Sequence, residues 1–125
     1  MQRLPESELD IMLAIWEAEE IPVGRNYFEK RLVHKQWTVN ALNSFLTRLE
    51  DKGFLSSTKE GKCKYYTPLI QQESYLQQES SNILKKMYQG SLKKFVLSIS
   101  GQERITDTEI DELQQYLETL RKGND

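Results

Sequence analysis

The feature that most restricts this chain is a change of period at Gly53. Before it, Leu42, Phe45, Leu46 and Leu49 recur at i, i+3, i+4 and i+7, one face of an α-helix. After it, Phe54–Lys59 and Lys62–Thr67 read as two strands joined by a Glu60-Gly61 turn, with Pro68 ending the hairpin. Thr38 can cap the helix, about Val39–Lys52, at its start, and Gly53 can close it in the left-handed region. A capped helix running straight into a hairpin leaves few folds open.

The flanking segments are helical in pattern. A first helix is expected from near Pro5–Ser7 to about Ala18, with Leu9, Met12, Leu13 and Trp16 on its apolar face and Ile11 and Ile15 widening it. Ile21-Pro22-Val23-Gly24 breaks the chain. A second helix, about Arg25–Lys35, turns Phe28 and Leu32 inward. Beyond the hairpin, helices are expected at about Gln71–Tyr88 (Leu76, Ile83, Leu84, Met87) and Ser91–Ser100 (Leu92, Phe95, Val96, Ile99). The capping box Thr106-Asp107-Thr108-Glu109 opens a sixth helix. There Ile110, Leu113, Leu117 and Leu120 step by 3, 4 and 3, the spacing of a helix–helix seam. Lys122–Asp125 reads as a frayed end. Three prolines and six glycines in 125 residues suit such long elements.

The order helix–helix–helix–strand–turn–strand over residues 5–68 is that of a winged helix-turn-helix. The fold class expected is mainly α with a small β-hairpin. Residues 1–70 would form a winged-helix DNA-binding domain, and residues 71–125 a helical dimerisation domain. Leu84, Met87 and Phe95 join the seam of the sixth helix as expected dimer contacts.

Overall charge is −2, but it is unevenly spread. Residues 1–20 hold one basic and six acidic residues, whereas residues 21–70 hold nine basic and four acidic. A polyanion reads the local patch, not the average, so the second stretch is where a nucleic-acid surface would lie. Within it, the face of the third helix opposite Leu42 and Leu46 carries Asn40, Asn43, Ser44 and Thr47, with Arg48 on its flank. A merely solvated face usually carries more Lys and Glu. Amides can pair with adenine edges in the major groove, and hydroxyls can meet bases or phosphates. The hairpin tip adds Lys59, Lys62 and Lys64, placed to follow a phosphate backbone.

Other functions find little support. No apolar stretch approaches the ~18–20 residues of a membrane span, and no signal-peptide core follows Met1, so no membrane insertion and a cytoplasmic location are expected. Cys63 is the single cysteine, which excludes a disulfide framework or a multi-cysteine zinc site. His34, the single histidine, has no partner set for metal or catalysis, so no metal and no cofactor are expected. No phosphate loop, GxSxG or HExxH is present, and an enzyme is not expected. Trp16 and Trp37 read as packing residues, and Lys85-Lys86 and Lys93-Lys94 as solvated faces. Two rival readings stay open. One is a winged helix that docks protein rather than DNA. The other is a thiol-responsive regulator using Cys63, whose neighbours Lys62 and Lys64 would favour a thiolate.

Several short stretches, in order, resemble the penicillinase-repressor family of BlaI-, MecI- and CopY-type transcriptional regulators. They are Leu4-Pro5-Glu6-Ser7-Glu8-Leu9-Asp10-Ile11-Met12 with Ile15-Trp16, then Trp37-Thr38, Leu46-Thr47-Arg48-Leu49 and Lys52-Gly53. Tyr66-Thr67-Pro68-Leu69-Ile70 and Gly90-Ser91-Leu92 complete them. The resemblance covers nearly the whole chain. It implies a homodimeric repressor on a palindromic double-stranded operator with TACA/TGTA half-sites. By position, Asn43, Ser44 and Thr47 would face bases, and Thr38, Asn40, Arg48 and Lys62 phosphates. Ala41 stands where many members have threonine. The family is released either by a membrane-bound sensor protease responding to β-lactam or by copper at a C-terminal cysteine cluster. The matching scissile bond here would be Ser98-Ile99, without the familiar Asn-Phe pair, and the cysteine cluster is absent.

Overall fold

A computed structural model describes residues 1–123 and divides the chain into two units, Met1–Ser80 and residues 81 onward. The first unit contains helix α1 (Glu6–Trp16), strand β1 (Val23–Gly24), helix α2 (Arg25–Arg31), a single 3-10 turn (Val33–Lys35), helix α3 (Val39–Asp51) and strands β2 (Leu55–Glu60) and β3 (Cys63–Pro68). Helix α4 (Gln72–Tyr88) begins in the first unit and ends in the second. Helices α5 (Leu92–Ser100) and α6 (Asp107–Gly123) follow.

The core of the first unit is one cluster in which Phe28, Leu46 and Leu49 from α2 and α3 meet Ile11, Met12 and Ile15 from α1. Phe54, Leu55 and Tyr66 close it from the sheet. The expected face of α1 is rotated by about one residue. Ile11, Met12 and Ile15 are buried, while Leu9, Leu13 and Trp16 are only half-buried. The rotation carries Glu8 inward, where its carboxylate meets Lys52 Nζ at 2.5 Å. A buried carboxylate needs such a partner. Trp16 keeps one face on the core and donates its indole N–H to the Ile70 carbonyl at 2.9 Å.

Helix α1 also stops at Trp16 rather than Ala18. Its last turn has no basic residue and is followed by Glu17, Glu19 and Glu20, charges that disfavour the negative end of a helix dipole. The second helix likewise ends early, at Arg31. The chain then tightens to i→i+3 bonds (Lys35 N–H to Leu32, Gln36 N–H to Val33) and reverses at Gln36, which takes φ 57°. That reversal brings Trp37 edge-on to Phe45 of α3, with centroids 5.0 Å apart.

Helix α3 forms as expected. Thr38 Oγ1 accepts the Ala41 amide at 3.0 Å. At the other end Gly53 takes φ +80° and the Phe54 amide reaches back to the Leu49 carbonyl at 2.9 Å. The hairpin lies one residue later than expected. Glu60 pairs with Cys63, so the loop is Gly61-Lys62, with Gly61 at φ +62°. Lys62 therefore sits in the loop and not in the return strand.

The sheet has three strands, not two, in the order β1-β3-β2, all antiparallel. Val23 pairs with Tyr66 and Gly24 with Tyr65, making β3 the central strand. Two residues after a proline carry no alternation, so the segment that reads as a break is in fact a strand.

Helix α4 is anchored by Tyr75, which the expected stripe omitted. Its ring packs on Trp16 and Phe54, both at 5.9 Å, and its hydroxyl accepts the Leu4 amide at 3.0 Å. Leu76 and Met87, expected inward, are exposed.

In the second unit, Gln89 and Gly90 take positive φ, and the Gly90 amide closes the turn on the Leu84 carbonyl at 2.9 Å. Tyr88 packs edge-on against Phe95 at 5.4 Å and donates its hydroxyl to Ser98 Oγ at 3.3 Å. Ser91 caps α5, and Thr106 caps α6 by accepting the Glu109 amide at 3.2 Å. Leu92, expected inward, is exposed. Lys122 and Gly123, expected frayed, continue α6; Asn124 and Asp125 of that stretch lie outside the described residues.

Candidate nucleic-acid interface

The candidate site is built on α3 and the hairpin. Helix α3 puts Leu42, Leu46 and Leu49 into the core, which forces Asn40, Ser44, Thr47 and Arg48 out to solvent. Asn43 lies at the margin and is half-buried. Thr38 is exposed beside the start of the helix. Arg48 spreads its guanidinium 5.9 Å from the Phe45 ring centroid while staying exposed.

The hairpin carries the cations. Lys59, Lys62 and Lys64 are all exposed. Lys59 and Lys64 are cross-strand partners, so two like charges face each other, an arrangement that an anionic partner would relieve. Lys64 Nζ approaches Glu50 Oε1 only to 3.8 Å.

A groove runs between α2, α3 and the hairpin. Asn43, Thr47, Lys62 and Lys64 line it, together with Gly24, Arg25, Asn26, Glu29, Cys63, Tyr65 and Tyr66. Of the nine expected nucleic-acid residues it gathers these four. Thr38 at the cap of α3, Asn40, Ser44 and Arg48 on that helix, and Lys59 on β2 lie outside it. Arg25 is the residue that the face-by-face reading passed over. It opens α2, far from α3 in sequence, yet its Nη1 stands 3.5 Å from Asn43 Oδ1. The only signal was its place just after the Gly24 break.

Packing also redistributes the charge. The acidic first helix lies against the basic segment, pairing Glu8 with Lys52, Asp10 with Lys35 at 3.0 Å, and Glu17 with Arg31. The Glu17 carboxylate, by hydrogen bond and charge, pushes the Arg31 guanidinium further up from its already high range. These three cations are thus partnered within the unit. Of the other cations of residues 21–70, Arg48, Lys59 and Lys62, with Lys30 on α2, make no ion pair among the described residues. Three of these four unpaired cations lie on α3 and the hairpin. Tyr66, at the floor of the groove, has its phenol pushed up by burial first and by the Glu50 carboxylate second, with Arg25 pulling the other way.

The residues expected at a dimer interface fall into two groups. Leu84 and Phe95 are half-buried within the second unit. Met87, Ile110, Leu113, Leu117 and Leu120 are 40–62% exposed. Ser98 and Ile99 lie inside α5, where the Ile99 carbonyl accepts the Gln102 and Glu103 amides, so a protease would have to unwind that turn to reach the bond. No helix among the described residues is long and apolar enough to cross a membrane.

The chain is similar to known proteins along most of its length. A family model described as penicillinase repressor matches residues 4–119. The penicillinase repressor of Bacillus licheniformis is 33% identical over 122 residues, covering 94% of each chain. The methicillin resistance regulatory protein MecI of Staphylococcus aureus is 27% identical over 114 residues, 91% of this chain and 92% of that protein. MecI of Mammaliicoccus sciuri is 26% identical over the same shares.

Proposed function

This chain belongs to the penicillinase repressor family, whose members are transcriptional repressors and not enzymes, and from that premise we propose that it represses by binding a palindromic operator as a homodimer. The observation that carries the reading is the juxtaposition of an uncharged hydrogen-bonding face on α3 with a cationic hairpin whose Lys59 and Lys62 make no ion pair among the described residues. Helix α3 enters the major groove, where Asn43, Ser44 and Thr47 meet base edges. Thr38, Asn40 and Arg48 meet phosphates beside it, and Lys59, Lys62 and Lys64 follow the backbone.

The dimer is formed by the second unit. Ile110, Leu113, Leu117 and Leu120 present an apolar stripe on α6 that nothing in the described chain covers to burial. A second copy presents the same stripe, as a two-fold interface requires. Two-fold symmetry then sets two α3 helices in major grooves one or two turns apart, ~34 Å per turn. Repression is steric, by occupation of the promoter.

Fluorescence anisotropy of the full chain on a TACA/TGTA palindrome and a scrambled duplex, across a salt series, tests this. A strong preference for the palindrome, saturating at one dimer per site, is the expected result. Asn43→Ala or Thr47→Ala should weaken that specific binding by ~1–3 kcal/mol. Equal and steeply salt-dependent binding to both duplexes would reject the operator and leave only the cationic surface. No binding at low salt would favour a protein-docking winged helix.

A further inference from the structure

An asparagine facing the major groove is commonly matched to adenine. That pairing needs both amide atoms on the base, with Nδ2–H given to N7 and Oδ1 receiving N6–H. Asn43 has one of those atoms engaged. Arg25 Nη1 lies 3.5 Å from Asn43 Oδ1, and Arg25 Nε is held 2.8 Å from Glu29 Oε1, one turn further along α2. Glu29 thus fixes the guanidinium, and the guanidinium faces the amide. Arginine carries five donors and no acceptor. The amide can meet it only through Oδ1, since the opposite rotamer would set donor against donor. Nδ2 then keeps both of its donors for a ligand in the groove, while Oδ1 keeps one lone pair.

We propose that Arg25 is a positioning residue that presents Asn43 as a hydrogen-bond donor, so that Asn43 selects guanine over adenine. Guanine offers two adjacent acceptors, O6 and N7, in the major groove. Adenine offers N7 beside the N6 donor, and Oδ1, already accepting from Arg25, has only its second lone pair for that donor. A donor that must share its acceptor with a guanidinium makes the poorer bond, and that difference discriminates the two bases. This inference rests on α3 being the base-reading helix.

The test is selection of duplexes from a random library by the full-length protein and by Asn43→Ala, Arg25→Ala and Arg25→Lys. The wild type should enrich a palindromic motif, and Asn43→Ala should lose its preference at one position in each half-site. At that position the wild type should favour G·C over A·T by about tenfold. Arg25→Ala should keep the rest of the motif but shift that position toward A·T or erase its preference. Arg25→Lys, which keeps a cationic donor, should retain guanine. A merely structural or phosphate-binding Arg25 would lower affinity for all duplexes alike and leave the base preference unmoved, and that result overturns the proposal. So does an A·T preference at the Asn43 position in the wild type. If the wild type enriches no motif, the operator reading falls and takes this inference with it. A motif whose guanine survives Arg25→Ala removes the inference alone.

Discussion

The two units of this chain use the same helical code with opposite results. In the first unit the apolar stripes of α1, α2 and α3 converge, and every buried core residue, from Leu4 to Tyr75, lies there. In the second unit no described residue is buried, although α5 and α6 carry stripes as regular as that of α3. On α6, Leu113, Leu117 and Leu120 stand 46%, 40% and 44% exposed. A stripe says which face wants cover, but not who covers it. Where three helices and a sheet share a short stretch of chain, the cover is internal. Where α5 and α6 lack such a layer, the stripe stays exposed, and on the reading proposed above its cover is a second copy of the chain.

The sharpest way to break this contrast is at the α6 stripe. Leu113→Glu with Leu117→Glu should abolish the dimer in sedimentation equilibrium and, by removing linked binding, lower operator affinity by about 10²–10⁴-fold. The core of the first unit should be untouched, and an intact dimer would refute the seam. Phe28→Ala should do the reverse. Phe28 is fully buried against Tyr27 and Tyr66, and its loss should cost about 3–5 kcal/mol in denaturant unfolding of the first unit. Sedimentation should still report a dimer under native conditions.

Within the first unit, Glu8→Ala should cost about 1.5–3 kcal/mol, because Lys52 loses a charge-assisted bond but can turn its partly exposed amine to water. The double change Glu8→Leu with Lys52→Met should recover most of that, since an apolar pair replaces a buried ionic one. A double variant no better than the single would mean that the pair does more than satisfy its own charges.

The smallest effect concerns pH. Burial raises the Tyr66 phenol above its ordinary 10.0, so the native state holds that proton more tightly than the unfolded chain. The corresponding stability is complete below about pH 10 and is lost as pH rises through the native value. Tyr66→Phe should flatten the alkaline limb of stability against pH, and an unchanged limb would assign it to another group.

Elements with a strong local signal were legible from residue order alone. Thr38, Gly53 and the Leu42–Leu49 period placed α3 to within a residue, because cap and stripe are both local chemistry. The Thr106–Glu109 box placed α6 for the same reason. What escaped depends on contacts distant in sequence. Strand β1 is two residues long and exists because β3 offers it a free edge. Glu8 is buried because Lys52 reaches it from 44 residues away. Tyr75 lies off the expected stripe of α4 and is placed by Trp16, Phe54 and Leu4. The candidate interface shows the same division. The exposed face of α3 follows from its period, whereas the meeting of Arg25 with Asn43 follows only from how α2 crosses α3. Segment charge located the stretch but not the surface within it, since three of its nine cations pair with the acidic first helix.

Amide hydrogen exchange of the full chain, free and bound to the palindromic duplex, tests the division of labour most directly. The account predicts new protection on DNA binding in the first turns of α3 and around Gly61-Lys62. It also predicts that α6 is already protected in the free protein beyond what its exposure in a single chain would give. Protection by DNA confined to α5 and α6, with α3 and the hairpin unchanged, would contradict it.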